Sequence, residues 1–244
     1  LVDKVTDPSR TVVLSATYFG NEPSYQHIEA LEDLQKRGVR VIEDETHRVL
    51  GDLAPMGDVA LASLRKTLPV ADGAYIRGSL KLEPHSTLSH SGWRAMDEKL
   101  AGNHQKARVL FTETSRHLKE SITQPSSPDL RTMETISTLN YEVLRERRRS
   151  NSAWLRERLL DLPGIDTVNA AVVPSHLVIQ VEGAQQVQKK LSQAGIYCPI
   201  HWPRPERLKN IKWRDDLLSL PIDHRYDIND MQRIAEKIQI IVEG

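Results

Sequence analysis

A single cysteine, Cys198, occurs in 244 residues, so no disulfide can close within the chain, and this usage suits a reducing cytoplasm. No apolar run approaches the roughly 20 residues of a membrane span, which argues against a membrane partner. Neither sign of charge predominates: Lys plus Arg is 33 and Asp plus Glu is 33, for a formal net charge of zero. That balance disfavours nucleic acid and anionic lipid as partners. Internal repeats and low-complexity tracts are absent, and no metal ligand set is assigned. The chain begins with Leu1 rather than methionine, and no secretory pattern precedes it. "LVDKV" reads as the tail of a helix whose beginning is missing, so the expectation is the remainder of a longer protein.

With 39% hydrophobic and 27% charged residues, the chain can bury one or two cores. "TVVLSA", from Thr11 to Ala16, is β-branched and apolar and predicts a buried strand. Ser24 then caps a predicted helix carrying Ile28, Leu31 and Leu34 on one side, with Gly38 as its stop and "VRVIED" as the next strand. Such a strand–helix–strand unit implies parallel strands joined by a right-handed crossover. Further strands are predicted from Asp58 to Ser63 and around "GAYIR". The fold class is therefore α/β, a mainly parallel sheet covered on both faces in three α/β/α layers.

After about residue 106 the pattern changes. "ARVLFTETSRHLKESI" and "METISTLNYEVLRERRRSNSAWLRERLL" predict long helices separated by the linker "TQPSSPD". Arg145 and the run Arg147 to Arg149 alternate with Glu142 and Glu146, as on a solvated face. "HLVIQV", a helix ending at Gly195, "IYCPI", "LLSLPI" and a final helix capped by Asp227 or Asn229 then complete a small α+β domain. Two domains are expected, 1–105 and 106–244, the second including the linking helices.

Ligands of open α/β sheets bind beyond the carboxyl ends of the strands. Two predicted strands bring ionisable residues to that edge. "VIEDETH" supplies Asp44 and His47, and "VALASLRK" supplies Ser63, Arg65 and Lys66. An amine and a carboxylate at one rim suit a cofactor aldehyde that condenses with lysine while the carboxylate keeps a pyridine nitrogen protonated. Ser63 can hydrogen-bond a phosphate, whereas Arg65, on the alternation of a strand, points the other way from its neighbours. Taken alone, Lys66 reads as an exposed lysine, Asp44 as a turn cap and Ser63 as a local backbone partner. His47 reads equally as a structural histidine.

"VIEDETHRVLG", "GDVALASLRKTLPVADGA" and "LSLPIDHRYDINDMQRI" together resemble the fold-type I pyridoxal phosphate enzymes, and among them the DegT/DnrJ/EryC1/StrS sugar aminotransferases. The resemblance runs from about residue 11 to the C-terminus and rests on D-x-x-H, S-x-x-K and D-G in that order. It implies a partial large domain of the PLP-dependent transferase type followed by the smaller α+β domain. It further implies pyridoxal 5'-phosphate as cofactor, Lys66 as the internal aldimine lysine and Asp44 as the pyridinium partner. His47 would then lie beside the 3-hydroxyl and Ser63 at the phosphate. The implied reaction is transamination of a keto-sugar or oxo acid with an amino donor, by a homodimer. The family also has a segment before the first strand that cradles the phosphate and stacks an aromatic on the ring; neither feature is identifiable in residues 1–10.

In the second domain His201 and Trp202 of "CPIHWP" can offer a polar edge and a flat apolar face to a substrate, or form a packed turn. Arg225 can bind a substrate carboxylate through its fork. Two rival readings accompany this one. S-x-x-K is also the serine-acylating signature of penicillin-binding proteins, but Ser63 follows a strand, and S-D-N and K-T-G do not follow. A truncated, non-catalytic homologue serving as an interaction module is the other. Aldolase, racemase or decarboxylase chemistry on the same cofactor remains a variant of the first reading.

Overall fold

The computed structural model describes residues 2, 5–52, 54–78, 86–87, 91–120 and 126–244. Most of the predicted helix tail "LVDKV" and much of the loop expected after Gly78 lie outside them. Two compact units are present. The first comprises residues 1–16, 23–49 and 53–139, and the second 17–22, 50–52 and 140–244. The main division thus falls after Leu139; of the helices expected to link the domains, the stretch up to Leu139 belongs to the first unit and the stretch from Asn140 to the second.

In the first unit β1 (Val12–Ala16), β2 (Arg40–Asp44), β3 (Val59–Ser63) and β4 (Ala74–Gly78) form one sheet in that order. The pairs β1–β2 and β2–β3 are parallel, while β4 runs antiparallel to β3. Helix α1 (Tyr25–Lys36) makes the first crossover; Ser24 Oγ accepts from His27 N, and Gly38 leaves the helix at φ +87°. Only an unbranched Cα tolerates that left-handed conformation cheaply.

The α/β fold expected for this unit is present, and the two faces of its sheet differ. Strand alternation puts Ser15, Val41, Glu43, Ala60 and Ala62 on one face, and all are buried. There α1 packs, with His27 Nε2 2.9 Å from Ser15 Oγ. On the other face Val59 is buried, but Val12 is 58% exposed, Leu14 66% and Ile76 41%, so β1, which read as a fully buried strand, is exposed at two of its apolar positions.

Helices α2 (Ser91–Leu100) and α3 (His104–Glu120) form a hairpin, and Ser86–Thr87 (β5) pairs in parallel with Ser126–Ser127 (β6) from the expected linker. The predicted single long helix after residue 130 is two: α4 (Leu130–Thr138) and α5 (Tyr141–Leu159). Leu139 is extended, and Asn140 Oδ1 accepts from Val143 N to start the second helix.

The second unit packs α5, α6 (Ala184–Gln193) and α7 (Ile228–Glu243) with an antiparallel sheet of β7 (Ile165–Thr167), β8 (Leu177–Val181) and β9 (Leu217–Leu220). Asp227, not Asn229, caps α7, in a reciprocal capping box with Asp230. Met231, Ile234 and Ile238 point into the core. The arginine run needs a correction: Arg145 and Arg149 pair with Glu142 on the surface, but Arg148 is only 3% exposed. Its guanidinium donates to Ser175 O at 2.8 Å, and burial lowers its pKa to about 10.

Cys198 lies in this core, 3% exposed, and burial pushes its thiol up to about 12. Thiolate is therefore scarce at neutral pH. Ellman's reagent at pH 7.5 is expected to leave Cys198 unmodified in the folded protein and to react fully in denaturant; rapid reaction of the native protein would contradict this placement.

Candidate functional site

Asp44 ends β2, and Ser63 ends β3. The register pairs Asp44 with Leu61, two positions before Ser63, so Asp44 and Ser63 share one face of the sheet, that of Val12 and Leu14. Beyond Ser63 the chain makes a short 3-10 turn, Leu64–Lys66, with Leu64 buried and Arg65 and Lys66 exposed. Strand alternation, which set Arg65 against its neighbours, therefore ends before Arg65. A strand followed by one such turn also lacks the helix that a serine-acylating S-x-x-K requires.

The segment carrying Lys66 is closed on itself. Leu64 N donates to Gly73 O at 3.0 Å, and Thr67 N and Leu68 N donate to Leu64 O. Gly73 adopts φ +92°, and a Cβ there would stand 3.2 Å from Thr132 Cγ2, so the glycine is required for conformation and for space. Asp72, the other half of the D-G signal, holds α4: its carboxylate accepts from Thr132 Oγ1 and, at 3.2 Å, from Asp129 N. Thr132 Oγ1 in turn accepts from Trp93 Nε1 at 3.0 Å. Arg131 stacks on the Trp93 ring and forks onto Asp97.

Asp44 Oδ1 accepts from Thr46 N at 2.9 Å, and its other oxygen has no partner among the described residues. Lys66 likewise makes no hydrogen bond or ion pair among them. His47 is half-buried in the turn after Asp44. A carboxylate oxygen, an amine and the Ser63 hydroxyl are thus all available at the ends of β2 and β3. This donor set fits pyridoxal phosphate: a carboxylate for a cationic ring nitrogen, an amine for the aldehyde, a hydroxyl for the phosphate.

Beneath Asp44, on the opposite face, lies a charge network that sequence reasoning missed. Glu43 and Glu45 are 1% and 2% exposed, with Arg48 3.5 Å from the first and 3.7 Å from the second. Glu43 Oε2 also accepts from Met56 N and Gly57 N, pinning the loop before β3. Glu45 Oε2 takes Arg77 at 2.7 Å and Tyr75 Oη at 2.5 Å, and burial followed by this carboxylate raises the Tyr75 pKa. "EDETHR" carries the signal, since three further charges in so apolar a setting demand partners.

The residues proposed for substrate contact all lie in the second unit. His201 and Trp202 join Tyr18 and Phe19 in an edge-to-face aromatic cluster, with His201 and Phe19 centroids 4.9 Å apart. Burial lowers the His201 pKa. Arg225 has Nε and one terminal nitrogen on the two oxygens of Asp223, at 2.7 and 2.8 Å, so its fork is occupied within the chain. A solvent-open groove of about 440 Å³ lies on α2 and α3, lined by Lys99, His104, Arg108 and Phe111 among others, and holds none of the residues derived from the sequence.

Comparison by sequence finds no matching family profile and no matching curated protein. Comparison by structure is informative. DesV from S. venezuelae, solved with a ketimine intermediate, matches at 19% identity and a TM-score of 0.62, covering 100% of this chain and 68% of DesV. DesI, solved with its TDP-sugar product, matches at 16% identity and a TM-score of 0.64, covering 99% and 64%. A DegT DnrJ EryC1 StrS aminotransferase from Brucella abortus gives 16% identity, a TM-score of 0.59 and coverage of 96% and 65%. The fold is that of the DegT/DnrJ/EryC1/StrS sugar aminotransferases. The aminotransferase fold expected from "VIEDETH" and "VALASLRK" is therefore present, although the chain spans only about two thirds of the length of these neighbours. Among the described residues no helix is long and apolar enough to cross a membrane.

Proposed function

We propose that this chain carries the lysine-bearing part of a pyridoxal phosphate-dependent aminotransferase for a keto-sugar or oxo acid, working as a homodimer in the cytoplasm. The observation that supports the reading is the junction of β2 and β3, where Asp44, Ser63 and the exposed Lys66 turn stand at the ends of neighbouring strands and one Asp44 oxygen has no partner among the described residues. When bound, pyridoxal phosphate supplies the electron sink that stabilises negative charge on the substrate carbon. The oxygen of Asp44 left open by the Thr46 N–H would hold the protonated ring nitrogen. Ser63 would donate to the phosphate, and His47 would contact the ring hydroxyl. Lys66 would bind the cofactor's aldehyde, and its free amine would carry a proton at the substrate carbon. The aromatic cluster at His201 and Trp202 would offer the substrate a flat apolar surface.

The test is covalent. After incubation with pyridoxal phosphate and borohydride reduction, peptide mass spectrometry is expected to place the cofactor on Lys66, well above the exposed Lys99. Lys66→Ala should abolish that mass shift while leaving the background labelling unchanged. Equal labelling of Lys66 and Lys99 would refute the proposal.

A second reading, a non-catalytic interaction module, is supported by the exposure of Val12, Leu14 and Ile76. Equal labelling of the two lysines is the result it expects.

A further inference from the structure

The ladder between β2 and β3 ends at Asp44, and its last backbone bond runs from Glu45 N to Leu61 O at 2.8 Å. Past that point the two segments are free to diverge, yet Asp44 and Lys66 lie on either side of it. One residue spans the gap. Thr46 N donates to Asp44 Oδ1 at 2.9 Å, Thr46 Oγ1 accepts from Ser63 N at 3.1 Å, and Thr46 O accepts from Thr67 Oγ1 at 2.8 Å. Its amide, its hydroxyl and its carbonyl are each spent on a segment bearing a candidate site residue. Thr46 and Thr67 are 7% and 4% exposed, so their polar atoms depend on these bonds in place of water.

We propose that Thr46 and Thr67 are positioning residues that fix Asp44 relative to Lys66. The inference rests on the function proposed above and adds to it two residues that do not touch the cofactor in that reading: Thr46, an unspecified position of D-x-x-H, and Thr67, next after S-x-x-K. Thr46 holds the Asp44 carboxylate in one rotamer through its amide, while its hydroxyl and carbonyl hold the start and end of the Lys66 turn. A shift of about 1 Å between reacting groups costs on the order of 100-fold in rate. Loosening one of several hydrogen bonds should move them by less.

The experiment measures the initial rate of borohydride-trapped incorporation of pyridoxal phosphate at Lys66, with Lys99 as internal reference. Thr46→Val keeps the shape but removes the acceptor of Ser63 N; Thr46→Ser keeps it. Thr67→Val removes the other bond and decides the matter should Thr46→Val fail to fold by circular dichroism. Both valine variants are expected to slow Lys66 labelling about tenfold, as the loss of one buried hydrogen bond predicts, without changing Lys99. The serine variant should stay within about twofold of the unsubstituted protein. In an Asp44→Ala background Thr46→Val should add no further loss, because the group it positions is gone. Labelling at the unsubstituted rate in the folded valine variants, or an equal loss in Thr46→Ser, overturns the inference while the function stands. No preference for Lys66 in the unsubstituted protein overturns both.

Discussion

Arg48→Ala is expected to destabilise the first unit by about 3–5 kcal/mol, the usual consequence of removing one partner from a buried ion pair. The Arg48 side chain is 4% exposed and stands between Glu43 and Glu45, themselves 2% and 3% exposed at the side chain. Without it Glu45 keeps Arg77 and the Tyr75 hydroxyl, but Glu43 retains, among the described residues, only the amides of Met56 and Gly57. The cost therefore falls mainly on Glu43, whose charge would be buried with no cation. That assignment gives a second expectation. Arg48→Met should be nearly as damaging as Arg48→Ala, but Arg48→Met combined with Glu43→Gln should recover part of the loss, since the amide keeps an acceptor oxygen and carries no charge. Urea unfolding followed by circular dichroism measures all three. A loss under about 1 kcal/mol in Arg48→Ala would mean that water reaches the network, because surface pairs contribute about that little.

The crossover was legible in the sequence because β-branched runs, a serine cap and a glycine stop all agreed over Thr11 to Asp44. The antiparallel β4 was legible in principle and missed: residues 64 to 73 are too few for a parallel crossover, which takes about a dozen or more. Asn140 announced the break between α4 and α5 by the chemistry that marked Ser24, but the apolar spacing on either side concealed it. Arg148 was hidden by its neighbours' charge, although Leu144, Arg148, Asn151, Leu155 and Leu159 follow helical spacing and are all buried. The exposure of Val12, Leu14 and Ile76 could not be read, because a strand's sequence records what it can pack against and not how much of it is covered. The candidate site divides the same way. Asp44, His47, Ser63 and Lys66 stand in recognisable local patterns, whereas Thr46 and Thr67 find their partners 17 and 21 positions away, a relation without local signature.

Asp72→Ala is expected to have the next largest effect, and on two measurements at once. Its carboxylate accepts from Thr132 Oγ1 and from Asp129 N, and Thr132 is fully buried. Each buried donor left without an acceptor costs about 1–3 kcal/mol, so the loss should be about 3 kcal/mol in urea unfolding. Asp72→Asn keeps a carbonyl oxygen for the Thr132 hydroxyl and should lose clearly less. The second measurement follows from connectivity. Trp93 Nε1 donates to the same Thr132 oxygen, so releasing Thr132 should alter the tryptophan fluorescence, and Trp93→Phe in the Asp72→Ala background should remove that change. On the other side, Gly73 O receives Leu64 N and so closes the segment that carries Lys66. Labelling of Lys66 by pyridoxal phosphate should therefore fall in Asp72→Ala even at temperatures where the protein remains folded, and Thr132→Val should reproduce the fall without touching the segment's own residues. If Thr132→Val lowers stability but leaves Lys66 labelling intact, α4 supports the fold alone, and the D-G turn holds its shape through the Leu64 to Gly73 closure without outside help.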